Sequence, residues 1–175
     1  DQFLFGPMAR LSWGGSKSLV NLDLGLLVEF PSPDRIALLG NMSVLVGSES
    51  ANVLNLNVGF LADLDFDNRR FSFDASLYDS KLLAFPLEGD MAIRLFWGNE
   101  KAFLFSAGGF HPEFQPDEFL NVGNMKRLTI NLLQGNPRLT ITSYFALTSN
   151  TFQFGAAADF QYKISSFKLK GGFGF

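Results

Sequence analysis

Arg138 to Tyr162 reads RLTITSYFALTSNTFQFGAAADFQY, two runs of strict alternation joined by a short polar segment. Leu139, Ile141, Phe145 and Leu147 are apolar at every second position, interrupted only by Ser143. After Thr148-Ser149-Asn150-Thr151, the series Phe152, Phe154, Ala156, Ala158 and Phe160 keeps the same period. A period of two places these residues on one face of a β-strand. Helical spacing at i, i+3, i+4 fits neither run, and the Thr, Phe and Tyr content favours strand. The joining residues hydrogen-bond locally and tolerate tight backbone geometry. If Leu147 faces Phe152, then Phe145 meets Phe154, Ser143 meets Ala156, Ile141 meets Ala158 and Leu139 meets Phe160. Both apolar sets then share a face, which a slip of one residue would destroy.

The rest of the chain repeats this hairpin. Residues 1–16 read as a short strand, a Gly6-Pro7 break, then Met8 to Trp13 and a Gly14-Gly15 stop. Lys17 to Phe30 alternates through Val20, Leu22, Leu24, Leu26, Val28 and Phe30, and Pro31-Ser32-Pro33-Asp34 turns it. Arg35 to Val46 returns, with Phe30 expected to face Ile36 and Val28 to face Leu38. After Ser48 to Asn52, the set Leu54, Leu56, Val58, Phe60, Ala62, Leu64 and Phe66 forms the next face. Asp67-Asn68-Arg69-Arg70 turns the chain, with Phe66 expected to face Phe71. Residues 79–89 are less regular. Met91, Ile93, Leu95 and Trp97 then pair with Phe103 and Phe105. Residues 108–127 read as an irregular loop or crossover, after which Leu128, Ile130 and Leu132 lead back to the first hairpin. The pattern predicts an all-β chain: a large antiparallel meander sheet of about ten strands, strongly curled or barrel-like, with no substantial helix. Residues 1–175 form a single β-rich domain in this reading. The chain starts without Met inside a Phe-rich run and stops with the alternation still running, so a fragment of a longer polypeptide is expected, with the remainder of that polypeptide as a partner.

Twenty-one Phe residues supply much of the apolar face. Such a face needs burial, an apolar ligand, a bilayer or a partner, because large contiguous apolar patches do not stay in water. The expected ligand-binding positions on it are Phe60, Phe73, Leu95, Phe145, Phe154 and Phe160, with lipid as the ligand. Strands of this length also match those of a transmembrane barrel, so a membrane partner stays open as an alternative. The absence of cysteine excludes thiol catalysis, disulfides and Cys-ligated zinc, and leaves the redox compartment undetermined. A net charge of −3 gives no reason to expect nucleic acid.

Reactive groups are sparse. The single histidine, His111, lies near Glu113 and Asp117 in the irregular segment. A histidine beside carboxylates could serve acid–base chemistry, but no nucleophile motif accompanies it, and an imidazole bonded to backbone accounts for it more simply. Asp63-Leu64-Asp65-Phe66-Asp67-Asn68 opens like a calcium loop, yet Asn68 stands where glycine is required and Ala75 where glutamate is required. Asn41-Met42-Ser43 is a glycosylation sequon placed mid-strand. No catalytic residue, metal or cofactor is expected, and the reading is a non-enzymatic structural or scaffold module.

Gly108-Gly109-Phe110-His111-Pro112 with Phe114, the hairpin Tyr144-Phe145-Ala146-Leu147-Thr148-Ser149-Asn150-Thr151, and Phe154-Gly155 resemble the domain-of-unknown-function family 6603. Gly171-Gly172-Phe173-Gly174-Phe175 sits where strands of that family continue. The motifs lie within the last part of the chain, and the first hundred residues agree in style alone. The resemblance implies large β-rich parent proteins and no particular activity.

Overall fold

The computed structural model describes residues 3–15, 18–30, 34–48 and 51–175. The turn expected at Pro31-Ser32-Pro33, the Glu49-Ser50 part of the next turn, and Lys17 at the expected start of the first long strand lie outside the described residues. Fourteen strands follow one another: β1 (Phe3–Phe5), β2 (Met8–Gly15), β3 (Ser18–Phe30), β4 (Arg35–Ser48), β5 (Ala51–Asp65), β6 (Arg70–Leu77), β7 (Ser80–Leu82), β8 (Phe85–Glu88), β9 (Asp90–Trp97), β10 (Lys101–Ala107), β11 (Leu128–Gln134), β12 (Arg138–Thr148), β13 (Phe152–Ile164) and β14 (Phe167–Gly174). Among the described residues the one helical element is a 3-10 turn at Glu118–Leu120. All fourteen strands belong to one sheet, and the chain is all-β and antiparallel as its alternation predicts.

Four pairs of strands share a row, so the fourteen fill ten rows. β1 and β2 keep one register along β3 and part at Gly6-Pro7, where proline has no N–H to give the ladder. β6 and β7 share one edge of β5, offset at Tyr78-Asp79. β9 and β8 lie on either side of Gly89, and β10 and β11 share one edge of β12. In the pairing graph, β5, β6, β9, β10, β12, β11, β8 and β7 close a ring of eight strands. Backbone bonds continue across its junctions: Leu77 N–H to Gly89 O at 2.9 Å, Gly108 N–H to Asp90 O at 2.8 Å, and Asp90 N–H to Lys126 O at 3.2 Å. The ring therefore marks a seam in the sheet. β1–β4 and β13–β14 extend from it as wings. Among the described residues, the outer edges of β14 and of β1 and β2 pair with no strand.

The hairpin of β12 and β13 has the expected register, from Leu147 opposite Phe152 to Leu139 opposite Phe160. Its turn is closed by Thr148 Oγ1, which accepts the N–H groups of Asn150 (3.2 Å) and Thr151 (3.0 Å). Two other expected registers are shifted by two residues. Val28 faces Ile36, and Leu64 rather than Phe66 faces Phe71. In the second case Asp65 faces Arg70, and its carboxylate accepts the Asn68 N–H at 2.9 Å. That bond makes Phe66 the first residue of the turn. A shift of two leaves every side chain on its own face, so alternation cannot detect it. Residues 79–89, expected to be irregular, carry β7 and β8. A bulge between Asn131 and Leu133 replaces the expected Leu132 alternation and sets Leu133 opposite Leu139.

The result is one apolar face and one mainly polar face, the second also exposing Leu19, Leu39, Leu45 and Leu61. Leu26, Leu38, Ala62, Phe73, Ile93, Phe105, Leu147 and Phe152 stand opposite one another on eight successive rows. The hydrophobic core lies on the other face. Ala92 and Leu104 are buried there beneath Leu120, with Phe96, Ala102, Phe110, Val122 and Met125 packed around them. Residues 108–127 form that cover, and they leave the sheet at Gly108 and Gly109, whose φ values of 77° and 83° favour glycine.

Candidate functional site

The six expected ligand-binding residues share the apolar face, but in separate groups. Phe60 and Phe73 stack with ring centroids 5.9 Å apart. The Phe60 ring lies over Gly40, where a Cβ would stand 2.9 Å from its Cζ. Leu95 sits between Phe71 and Phe103 in the ladder and is exposed. Phe145 contacts Phe105 (5.8 Å) and Phe152 (5.3 Å). Phe154 contacts Phe152 (5.8 Å) and Phe175 (6.4 Å), which in turn meets Phe173 (5.8 Å). Six phenylalanines thus form an unbroken aromatic run across the last four rows. Phe160 stands apart from it, opposite Leu139 and Gly171. Phe105, Phe152, Phe173 and Phe175 belong to the same run; alternation places them on this face, but ring contacts across rows depend on register.

Much of this face is open to solvent, most of all in its last rows, while Ala62 and Ala75 at its centre are buried among their neighbours. Phe154 is 59% exposed and Phe173 68%. The accessible surface is 11520 Å² for 19.4 kDa, against about 8,500 Å² for a compact monomer of that mass. The excess, about 3,000 Å², is on the scale of a large interface.

His111 lies on the opposite face and is exposed. Its Nδ1 accepts the Glu113 N–H at 3.3 Å, its own N–H donates to Gln153 Oε1 at 3.0 Å, and its ring meets Tyr144 edge-on at 6.5 Å. Arg127 covers the same Tyr144 ring at 4.2 Å and donates to the carbonyls of Gly108 and Phe110. His111, Arg127 and Tyr144 line an open cleft of about 300 Å³. Glu113 and Asp117 are exposed, and Asp117 begins the 3-10 turn through its carbonyl, which accepts the Leu120 N–H at 3.0 Å. The geometry brings His111 to backbone and aromatic partners rather than to the two carboxylates as a group.

A ladder of ion pairs crosses the polar face. Arg10 pairs with Asp23 (2.5 Å), Arg35 with Asp63 (2.6 Å) and Arg94 with Asp74 (2.8 Å). Arg70 Nε stands 3.2 Å from Asp65 Oδ2 but out of hydrogen-bond alignment. The Asn68 side-chain amide and backbone N–H hold the Asp65 carboxyl below its usual range, with Arg70 adding to the effect against burial. Of the carboxylates that open like a calcium loop, Asp63 is therefore engaged by Arg35, and Asp65 by Asn68 and Arg70. Among the described residues no group of three or more His, Cys, Asp or Glu is placed to hold a metal ion. Arg94 was not legible as special, since a buried arginine and a polar-face arginine have the same spacing.

A family model described as a family of unknown function, DUF6603, matches residues 1–175. The chain belongs to the DUF6603 family. The match extends the resemblance from the His111 segment and the last hairpins to the first hundred residues, so the DUF6603 pattern takes in the open wing of β1–β4 as well as the seam. No curated protein and no solved structure matches the chain. Among the described residues of this DUF6603 chain, no helix is long and apolar enough to cross a membrane.

Proposed function

We propose that the chain is a non-enzymatic scaffold module whose apolar face holds the hydrocarbon chains of lipids. One observation supports this reading: an apolar face runs across the sheet and leaves Leu95, Phe145, Leu147, Phe152, Phe154 and Phe173 exposed. A strand row of thirteen to fifteen residues, as in β3 to β5, is on the order of 45 Å long, and ten rows at their usual spacing are about equally wide. That area accommodates extended acyl chains lying along or across the strands.

The chemistry of the face favours hydrocarbon over a protein partner. The ladder from Leu26 to Phe152 contains no hydrogen-bonding side chain, and neither does the neighbouring ladder Val28, Ile36, Leu64, Phe71, Leu95 and Phe103. Specific protein interfaces carry direct hydrogen bonds at their rims and within the patch. Acyl chains need none, and burial of apolar area alone stabilises them.

The test is mass spectrometry of extracted lipid from purified protein, followed by rebinding of a fluorescent fatty acid to delipidated protein. Co-purifying lipid and saturable rebinding support the reading. A side-chain-filled interior that excludes the probe, with no lipid extracted, would overturn it.

A further inference from the structure

The last turn of the sheet separates two kinds of side chain. Ile164 and Phe167 face each other on the apolar side of Ser165-Ser166, and Tyr162 and Leu169 stand behind them. On the polar side Lys163 faces Lys168, and Lys170 faces Gln161, whose other neighbour is Arg138. Like charges directly opposite one another destabilise a strand pair, so this arrangement costs stability unless something offsets it. Among the described residues none of the four ion pairs engages Lys163, Lys168, Lys170 or Arg138. The nearest carboxylate on β13 is Asp159, which lies opposite Gly172. The proximity of Lys170, then of Lys163, lowers the pKa of Lys168.

The same end of the sheet exposes apolar tips. Ile164 is 54% exposed and Phe167 62%. The turn between β7 and β8 emerges at this end too, with Leu82 and Leu83 exposed and Lys81 on the polar side. The other end differs: Asp67 accompanies Arg69, and Glu100 accompanies Lys101, in the turns there. Among the described residues this end is therefore cationic and apolar-tipped, although the net charge of the chain is −3.

We propose that this end docks on an anionic lipid bilayer, with Lys163, Lys168, Lys170 and Arg138 at the headgroups and Ile164 and Phe167 inserted among them. Cations beside exposed apolar side chains match that surface, because the headgroup layer offers negative charge and hydrocarbon within a few ångströms of each other. A soluble polyanion would satisfy the cations and leave the apolar tips in water. Docking here would bring one end of the apolar face to the bilayer. The inference goes beyond the lipid-holding reading and stands on different residues, so each can fail without the other.

The experiment is co-sedimentation of the full chain with vesicles of phosphatidylcholine and phosphatidylserine, against vesicles of phosphatidylcholine alone. Binding to the first and not the second is expected, weakening as salt rises. The triple substitution Lys163→Glu, Lys168→Glu and Lys170→Glu should weaken it by at least about 100-fold. Phe167→Ser with Ile164→Ser should also weaken it at unchanged salt dependence. Circular dichroism and lipid extraction on the same variants report whether the fold and the lipid load persist. Equal binding to both vesicles, unchanged binding by the triple variant, or unchanged binding by the Ile164 and Phe167 variant would overturn the proposal. The last outcome, with displacement by an acidic polypeptide, would assign the cations to a soluble acidic partner.

Discussion

Arg94 donates its Nε–H to the carbonyl oxygen of Leu120 at 3.0 Å, joining the sheet to the segment that covers it. The other guanidinium protons go to Phe73 O, Ile93 O, Asn121 O and Asp74 Oδ1 at 2.8–3.2 Å. All five donors of a guanidinium are thus placed, in a residue only 5% exposed. Arg94→Ala would leave the carbonyls of Leu120 and Asn121 without that donor. Its expected cost is about 1–3 kcal/mol of unfolding free energy from the buried Leu120 carbonyl left unsatisfied, with faster hydrogen exchange around Leu120. Arg94→Lys should fall between the two. Urea denaturation checks the order; a cost below about 1 kcal/mol for the alanine variant would place it with ordinary surface changes.

Truncation should give opposite results on the two faces. Leu104 is 0% exposed, and Leu104→Ala is expected to destabilise by about 2–5 kcal/mol. Phe154→Ala removes a larger side chain, but mostly from an exposed position, and should cost no more than about 1 kcal/mol. In the lipid-holding reading the order reverses for ligand: Phe154→Ala weakens fatty-acid rebinding and Leu104→Ala leaves it unchanged in the folded fraction. Thermal melts and probe titrations on both variants measure this.

Acid should act through Asp65. Its folded-state pKa lies below the unfolded value, so its contribution is present above that unfolded value and is lost as pH falls through the folded one. Stability is expected to decline below about pH 4. Asp65→Asn should be less stable at neutral pH and lose less on acidification. Parallel slopes for the two proteins in denaturation at several pH values would assign the decline to other carboxylates.

His111→Ala is expected to leave stability within about 0.5–1 kcal/mol, since the residue is exposed and its Nδ1 bond to Glu113 is long. A loss of several kcal/mol in a melt would show that the His111–Tyr144 contact holds the cover in place.

Alternation made the faces and most strands legible, because residues two apart share a side whatever the register. It could not set the register where the turn chemistry was subtle. Thr148 closes its turn by hydroxyl bonds that place Leu147 opposite Phe152, as the polar linker suggests. Asp65, by contrast, caps a turn that starts earlier than the apolar run ends, which displaces Phe66 from the ladder. The candidate face was likewise readable residue by residue, and its aromatic run was not, since Phe105 meets Phe145, and Phe175 meets Phe154, only through the pairing of neighbouring rows. The core under residues 108–127 had no periodic signature at all. Leu120, Phe110 and Met125 come from a stretch without alternation, and they pack on Ala92 and Leu104, which lie on the otherwise polar side.

That covering segment leaves and rejoins the sheet at nearly one point. Ala107 pairs with Phe145 and Leu128 with Ser143, so Gly108 alone spans the gap opposite Tyr144. In space the row is one strand; in sequence it is two, with residues 109–127 spliced between them. The cover is therefore a cassette: its middle can be lengthened, exchanged or trimmed without re-registering a strand, at the expense of the contacts to Arg94 and Leu104, while Lys126 and Arg127 at its end hold Asp90 and Gly108. Variation in what lies over the polar face can proceed independently of the lattice that builds the apolar one.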